Sequence, residues 1–205
     1  MTKSLAIIGA GGINSWFSSH LSEVLTTFDK DIFVKIFDDD VVEEKNILRS
    51  NQNFKTEDLM EQKEEVLGKR YNFDFETTFI TEDNIDEKLK PFTDVILGVD
   101  NNKTRKIVYE YCHKTGKYLL DLRAQGTQMM FCVLEHKKPI EYYIEKYFSN
   151  KELLERKGSC QLQSDVESDH IENANKAIAF FGAFCIYFKH LRGEEPLMYD
   201  YKVAY

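Results

Sequence analysis

Apolar residues come early in this chain as short unbroken blocks, and between the blocks they recur at helical spacing. Leu5, Ala6, Ile7 and Ile8 form a run that ends at Gly9, with Gly11 and Gly12 close behind. A run this short, bounded by glycines, predicts a buried strand over residues 4–9. From 12 to about 27, Ile13, Phe17, Leu21 and Val24 recur every three or four residues, so a helix follows the turn. Residues 32–37 form a second block, with Phe33, Val34 and Ile36 suited to a sheet covered on both faces. A polar loop or short helical turns are expected over 39–53, a helix over 63–71, and strands over 75–80 and 94–98. The next helix, 101–115, presents Ile107, Val108, Tyr111 and Cys112 as its inner face. Strands are read over 118–122 and 129–134, a long helix over 171–191, and a terminal edge strand over 197–205. Residues 140–163 mix polar and aromatic types without a clear period; Tyr142, Tyr143, Tyr147 and Phe148 are candidates for a partner surface.

Strands alternating with helices predict an α/β fold: a Rossmann-like, doubly wound, mostly parallel sheet with flanking helices. Right-handed crossovers then bring ligands to the carboxyl ends of the strands. Gly9–Gly12, Asp38–Asp40, Asp100 and Arg123 all fall at such ends, so groups far apart in sequence are expected along one edge.

Composition narrows the classes. The chain has 205 residues with three prolines and no repeat, which suits a single domain over 1–205 without a linker. A net charge of -8 and the lack of a basic stripe argue against nucleic acid as a partner. No secretory leader is read at the start, and the apolar run 177–188 is too short to cross a bilayer, so no membrane role is expected. Cys112, Cys132, Cys160 and Cys185 include no C-x-x-C pair. Neither zinc nor a disulfide framework is expected, and reduced thiols fit a cytoplasmic protein.

The candidate chemistry begins at the glycine turn. Without side chains, backbone N–H groups can approach a phosphate, and the helix start adds a favourable dipole. The pattern is G-x-G-G-x-x-S, with no glycine at Ser15, and not the dinucleotide spacing G-x-G-x-x-G, which moves weight from NAD toward ATP. A tight turn with no ligand is the competing reading. Asp38 ends the second strand, where a carboxylate can accept both ribose hydroxyl protons. Asn46 and Arg49 stand one helical turn apart and can grip triphosphate oxygens, against the commoner fate of surface pairing with Glu43 or Glu44. Lys63 opens the next helix, within reach of phosphates or simply exposed. Asp100 and Asn101 follow the fourth strand; one can cap the helix while the other binds.

Taken in order, G-x-G-G-x-x-S, D-x-D-x-V-E-x-x-N-x-x-R, a lysine one helix onward and D-N-x-x-x-R resemble the ThiF/MoeB/HesA family over about residues 4–135. That family shares its adenylating fold with ubiquitin-activating enzymes. The resemblance implies ATP and Mg2+ as cofactors. It implies that Gly9, Gly11, Gly12, Asp38, Asp40 and Asn101 line the nucleotide site, with Gly12 and Asp38 at the adenosine part. It assigns phosphates to Asn46, Arg49 and Lys63, and magnesium and the reacting carboxylate to Asp100. It implies a homodimer and, as substrate, a ubiquitin-like or sulfur-carrier protein ending in glycine. Cys160, in Lys157-Gly-Ser-Cys-Gln, resembles a Ser-Cys segment ahead of a helix with asparagine and alanines, here Asn173-Ala-Asn175-Lys-Ala. This implies a nucleophile that accepts the acyl group, against an unreactive thiol.

The departures are Ser50 where glutamine is usual, Asn14 where glycine is common, the missing C-x-x-C pairs, and the missing leading helix whose arginine reaches across the dimer. Arg105 and Arg123 are candidates to replace that arginine. Two alternatives stand beside adenylation: an ATP-binding partner module without strong catalysis, and a nicotinamide-dependent oxidoreductase.

Overall fold

The computed structural model describes residues 3–28, 31–47, 52–125, 128–149, 170–192 and 200–204. The first apolar run forms β1 (Ser4–Ile8), buried along its length, and α1 (Gly12–Thr27) follows as its periodicity predicts. β2 (Phe33–Asp38) lies parallel to β1, with Ile8 opposite Phe37. Next come a short helix α2 (Glu44–Ile47), a 3-10 turn (Thr56–Asp58), α3 (Lys63–Tyr71), β3 (Asp74–Thr77) and α4 (Ile85–Leu89). β4 (Asp94–Leu97), α5 (Asn102–Thr115), β5 (Tyr118–Gln125), β6 (Gln128–Val133) and α6 (Ile140–Phe148) continue the chain. It ends in α7 (His170–Tyr187), which runs into a π-helical turn (Phe188–Arg192), and β7 (Asp200–Ala204).

The strands form one seven-stranded sheet in the order β3-β2-β1-β4-β5-β6-β7. β3 through β5 are parallel neighbours, and β6 and β7 add on antiparallel. The order reverses between β1 and β4, the topological switch point where such sheets bind ligands. Two cores explain the unbroken apolar strands. Leu5, Ile7, Ile36 and Leu122 face Phe17 and Leu21 of α1, Leu67 of α3 and Ile178 of α7. Ala6, Ile8, Val95 and Leu119 face the other layer, α4 to α6, through Leu89, Val108 and Phe148. Central strands covered on both sides have no polar face to alternate with. Among the described residues no helix is long and apolar enough to cross a membrane.

The departures from expectation have local causes. β3 stops at Thr77, because after Thr78 N–H donates to Asp38 O at 2.8 Å the chain leaves the ladder and Ile80 drops into the second core. β5 runs on to Gln125, held by antiparallel pairing with β6. Tyr109, not Tyr111, completes the inner face of α5: it is fully buried, with its hydroxyl donating to Asp121 at 3.0 Å. The aromatic stretch after residue 140 forms α6, and Tyr143 and Phe148 pack inward around Tyr109, so only Tyr142 of the four proposed surface aromatics is clearly exposed.

Asp121 has no exposure, and it gathers Arg105, Arg123 and Tyr109. Arg105 also donates to Val99 O, so α5, β5 and the chain leaving β4 meet at one buried carboxylate.

At the far edge, Glu76 of β3 pairs with Lys35 of β2 at 2.7 Å and Lys88 at 2.8 Å. The two ammonium groups hold its carboxyl at about 2, below its ordinary 4.5. A carboxylate lowered on folding stabilises the fold above the unfolded value and loses that contribution as pH falls toward the folded one. Glu76→Gln is therefore expected to cost up to about 1 kcal/mol at neutral pH, with the gap closing between about pH 5 and pH 2. Urea unfolding across that range checks it; a gap independent of pH would contradict the assignment.

Candidate active site at the carboxyl edge of the sheet

The turn after β1 is built from its glycines outward. Gly9 takes a φ of +87°, and a Cβ there would lie 2.9 Å from Val99 Cγ1 and 3.2 Å from Gly98 O. The ends of β1 and β4 thus touch at the switch point, and only glycine permits both the angle and the approach. Gly11 sits at the cap position of α1 without a side-chain cap, and no acidic residue occupies the first turn. The helix start keeps its positive end free of a carboxylate of its own, as an anion site requires. Asn14, where glycine is common, is buried and donates from Nδ2 to the carbonyls of Ile8 at 2.9 Å and Gly9 at 2.8 Å. It holds the turn against α1 and fits because Gly98 opposite has no side chain. At Gly12 a Cβ would lie 2.6 Å from Asn175 Nδ2, so a buried residue of α7 closes over the turn.

Asp38, expected at the ribose, already works within the fold. One carboxylate oxygen accepts from Ala10 N–H at 2.5 Å and the other from Asp40 N–H at 2.8 Å. Burial pushes its carboxyl above the ordinary range, and those amides and Lys63 pull the other way. Each carboxylate oxygen can accept a second hydrogen bond, so a ribose diol still fits. Lys63 is not an exposed helix lysine. It is buried at the start of α3, and its ammonium reaches Asp40 at 2.8 Å while its backbone N–H donates to Asp40 O at 3.0 Å. Asn46 is buried as well; its side-chain oxygen accepts from Glu43 N–H at 2.8 Å.

Past β4, the capping question left open by the sequence resolves. Asn101 caps α5, its side-chain oxygen accepting from Lys103 N–H at 2.9 Å and Thr104 N–H at 3.2 Å, and Asp100 is exposed beside it. A lysine that sequence reasoning passed over belongs to the same edge. Lys45 of α2 pairs with Glu43, which pushes its ammonium up, and Asp40 and Asp100 add to that field. One cation thus senses acids from the ends of β2 and β4. Its signal in the sequence was its place beside Asn46 within an acidic turn. Arg105 and Arg123, considered as replacement cations, are both held by Asp121; Arg123 also lies 4.9 Å from the Tyr147 ring, on the side of α6.

Among the described residues, the carboxylates of Asp38, Asp39 and Asp40 are the acidic cluster whose oxygens lie within 4.8 Å of one another. They offer the hard oxygen donors that magnesium prefers, although both Asp38 oxygens are engaged by amides; Asp100, exposed after β4, is not part of that cluster. Arg49 and Cys160 lie outside the described residues. The other three cysteines are buried, and burial pushes the thiols of Cys112 to about 12 and Cys185 to about 11, so neither is a ready nucleophile.

Comparison with known proteins agrees with this architecture. The ThiF family model matches residues 2–166. Among solved structures, E. coli MccB with AMPCPP and MccA superposes with a TM-score of 0.74 at 17% identity, covering 99% of this chain and 60% of MccB. E. coli MccB with ATP gives 0.71 at 16% identity, with coverage of 99% and 60%. PaaA gives 0.69 at 13% identity, with coverage of 98% and 69%. The chain therefore spans about three fifths of the length of MccB. At these identities the likeness is one of fold. No curated protein matches the chain in sequence. A strand–glycine turn–helix, an acidic strand end beside a buried lysine, and a family match over most of the chain lead to one assignment: this chain belongs to the ThiF family.

Proposed function

We propose that this protein is an ATP-dependent adenylyltransferase that activates the C-terminal carboxylate of a ubiquitin-like or sulfur-carrier protein ending in glycine. The observation that carries this reading is the convergence, at the β1–β4 switch point, of an uncapped α1 start, Asp38, the Lys63–Asp40 pair and Asp100. Family membership supports adenylation in general, and the fold is that of MccB, which has been crystallised with ATP and with MccA.

In the proposed reaction a carboxylate oxygen of the carrier attacks the α-phosphorus of ATP. The bond from that phosphorus to the bridging oxygen breaks, pyrophosphate leaves, and an acyl-adenylate forms. Gly11, Gly12 and the α1 start take phosphate oxygens on backbone N–H groups, and Asp38 takes the ribose. Asn46, Arg49 and Lys63 hold the triphosphate, and positive charge fixed beforehand at the leaving oxygens lowers the barrier. Asp100 would hold magnesium, which would supply charge neutralisation and orientation of the triphosphate. Cys160 then accepts the acyl group as a thioester and AMP departs. A cytoplasmic homodimer is the setting proposed for this reaction. The nicotinamide alternative has little support at the turn. Counted from Gly9, the third glycine of G-x-G-x-x-G falls at Asn14, whose side chain is buried and donates to the carbonyls of Ile8 and Gly9.

ATP–pyrophosphate exchange, with carriers whose C-termini end in glycine, tests the reading. Arg49→Ala is expected to lower exchange at least about 100-fold with little change in Tm; undiminished exchange would refute the phosphate role. Saturable ATP binding without exchange for any carrier would instead favour the partner-module alternative. For the second step, intact-mass measurement is expected to find a carrier adduct on the wild-type protein that is lost in Cys160→Ala. An adduct that survives the substitution places the acceptor elsewhere.

A further inference from the structure

We propose that Asn175 of α7 is a positioning residue of the nucleotide site: it braces the glycine turn from outside, and residue 12 is glycine in order to admit it. The inference rests on the binding of ATP phosphates at the α1 start proposed above.

A helix start frays unless its first N–H groups find partners, and a capping side chain is the usual remedy. α1 begins without one: Gly11 stands at the cap position and the first turn holds no acid. A capping side chain would occupy the N–H groups that a phosphate needs, so an anion-binding start has to be held by other means. Asn14 fastens the turn from below, through the carbonyls of Ile8 and Gly9. Ser15 fastens it along the helix, its N–H donating to Gly11 O at 2.9 Å and its hydroxyl to Gly12 O at 3.0 Å. Asn175 holds it from the side of α7.

Gly12 reveals that third contact. Positive φ among the glycines of this turn is confined to Gly9, so no backbone angle requires glycine at 11 or 12. A Cβ on Gly11 would meet no atom within 4 Å, whereas one on Gly12 would lie 2.6 Å from Asn175 Nδ2 and 3.3 Å from Asn175 Cγ. The first distance is well inside van der Waals contact, so the space beside Gly12 belongs to the amide, itself 1% exposed.

Asn175 has little room to give way. Ile178 and Gly182 share its face of α7. Ile178 is buried in the core with Phe17, and a Cβ on Gly182 would lie 2.8 Å from Leu122 Cδ1 and 3.2 Å from Phe17 Cδ2. The backbone of α7 therefore rests directly on β5 and α1. Beyond its far end Lys189 pairs with Asp94, buried at the start of β4. With α7 seated along its length, the amide stays beside Gly12 and the turn keeps its shape before a nucleotide arrives. The entropy of ordering the turn is then lost on folding and not on binding.

A packing contact without bearing on the nucleotide would look the same, and a mutant cycle separates the two. Calorimetric titration of the full chain with ATP and with adenosine is run on wild type, Asn175→Ala, Gly12→Ala and the double variant, with circular dichroism to check the fold. Asn175→Ser, which also leaves room for a methyl at residue 12, carries the cycle if Asn175→Ala fails to fold. Asn175→Ala is expected to weaken ATP about 10-fold and adenosine less than about 2-fold. Gly12→Ala is expected to weaken ATP about 30-fold in the wild-type background, and less than about 3-fold further once the amide is gone. A methyl at residue 12 that costs the same factor in both backgrounds overturns the proposal, because glycine there then serves the phosphate directly. ATP binding untouched by Asn175→Ala, or adenosine weakened as much as ATP, overturns it too and leaves the phosphate role of the turn standing. Wild type that binds ATP no more tightly than adenosine removes the phosphates from the turn and overturns both.

Discussion

A carboxylate removed from water must be surrounded by donors, and the fold on the β5 side is organised around meeting that requirement at Asp121. Arg105 comes from α5, Arg123 from two residues on in the same strand, and Tyr109 from one turn beyond Arg105. A buried charge that loses a partner destabilises a protein by about 3–5 kcal/mol, so these three groups cannot drift independently. Because Arg105 also takes the carbonyls of Val99 and Leu122, the chain leaving β4 is fixed at the point where Asp100 emerges. Arg123 lies against Tyr147 and Phe148, which draws α6 onto the same site. What appears from the sequence as three separate features, an arginine in a helix, an acid in a strand and a run of aromatics, is one packing unit.

The carboxyl edge poses the opposite problem, since its acids face solvent. Asp39, Asp40 and Asp100 are exposed there, with Glu43 beside Lys45, in a chain of net charge -8. A polyanion approaching this edge meets repulsion unless the backbone amides of the α1 start, Lys45, Lys63 and a divalent cation offset it. Lys63 is buried and already pairs with Asp40, so its ammonium is held in place by the fold.

Much of this was legible in the sequence, and the reasons differ by element. β1 and β2 were plain because both faces are covered, and α1 because its apolar positions follow one stripe for four turns. α4 was not read, since five residues hold too little of a period. Tyr109 was missed because its polar tip disguises a core position, and its partner Asp121 has no local signature. Within the site, residue types at strand ends pointed to Asp38, Asp40 and Asp100. That Asp38 first serves Ala10 and Asp40, that Lys63 is buried and that Asn175 closes on Gly12 are facts of tertiary packing, which spacing along the chain does not encode.

The meeting of Gly12 with Asn175 bears on how the protein is made. Translation delivers β1, the turn and α1 well before α7. Until α7 arrives, the surface of α1 around Phe17 that it covers stays open, and the turn lacks its lid. Exposed apolar surface on an unfinished chain is what chaperones bind and what aggregates when they fail. The glycine turn thus leaves the ribosome well before the residue that closes over it.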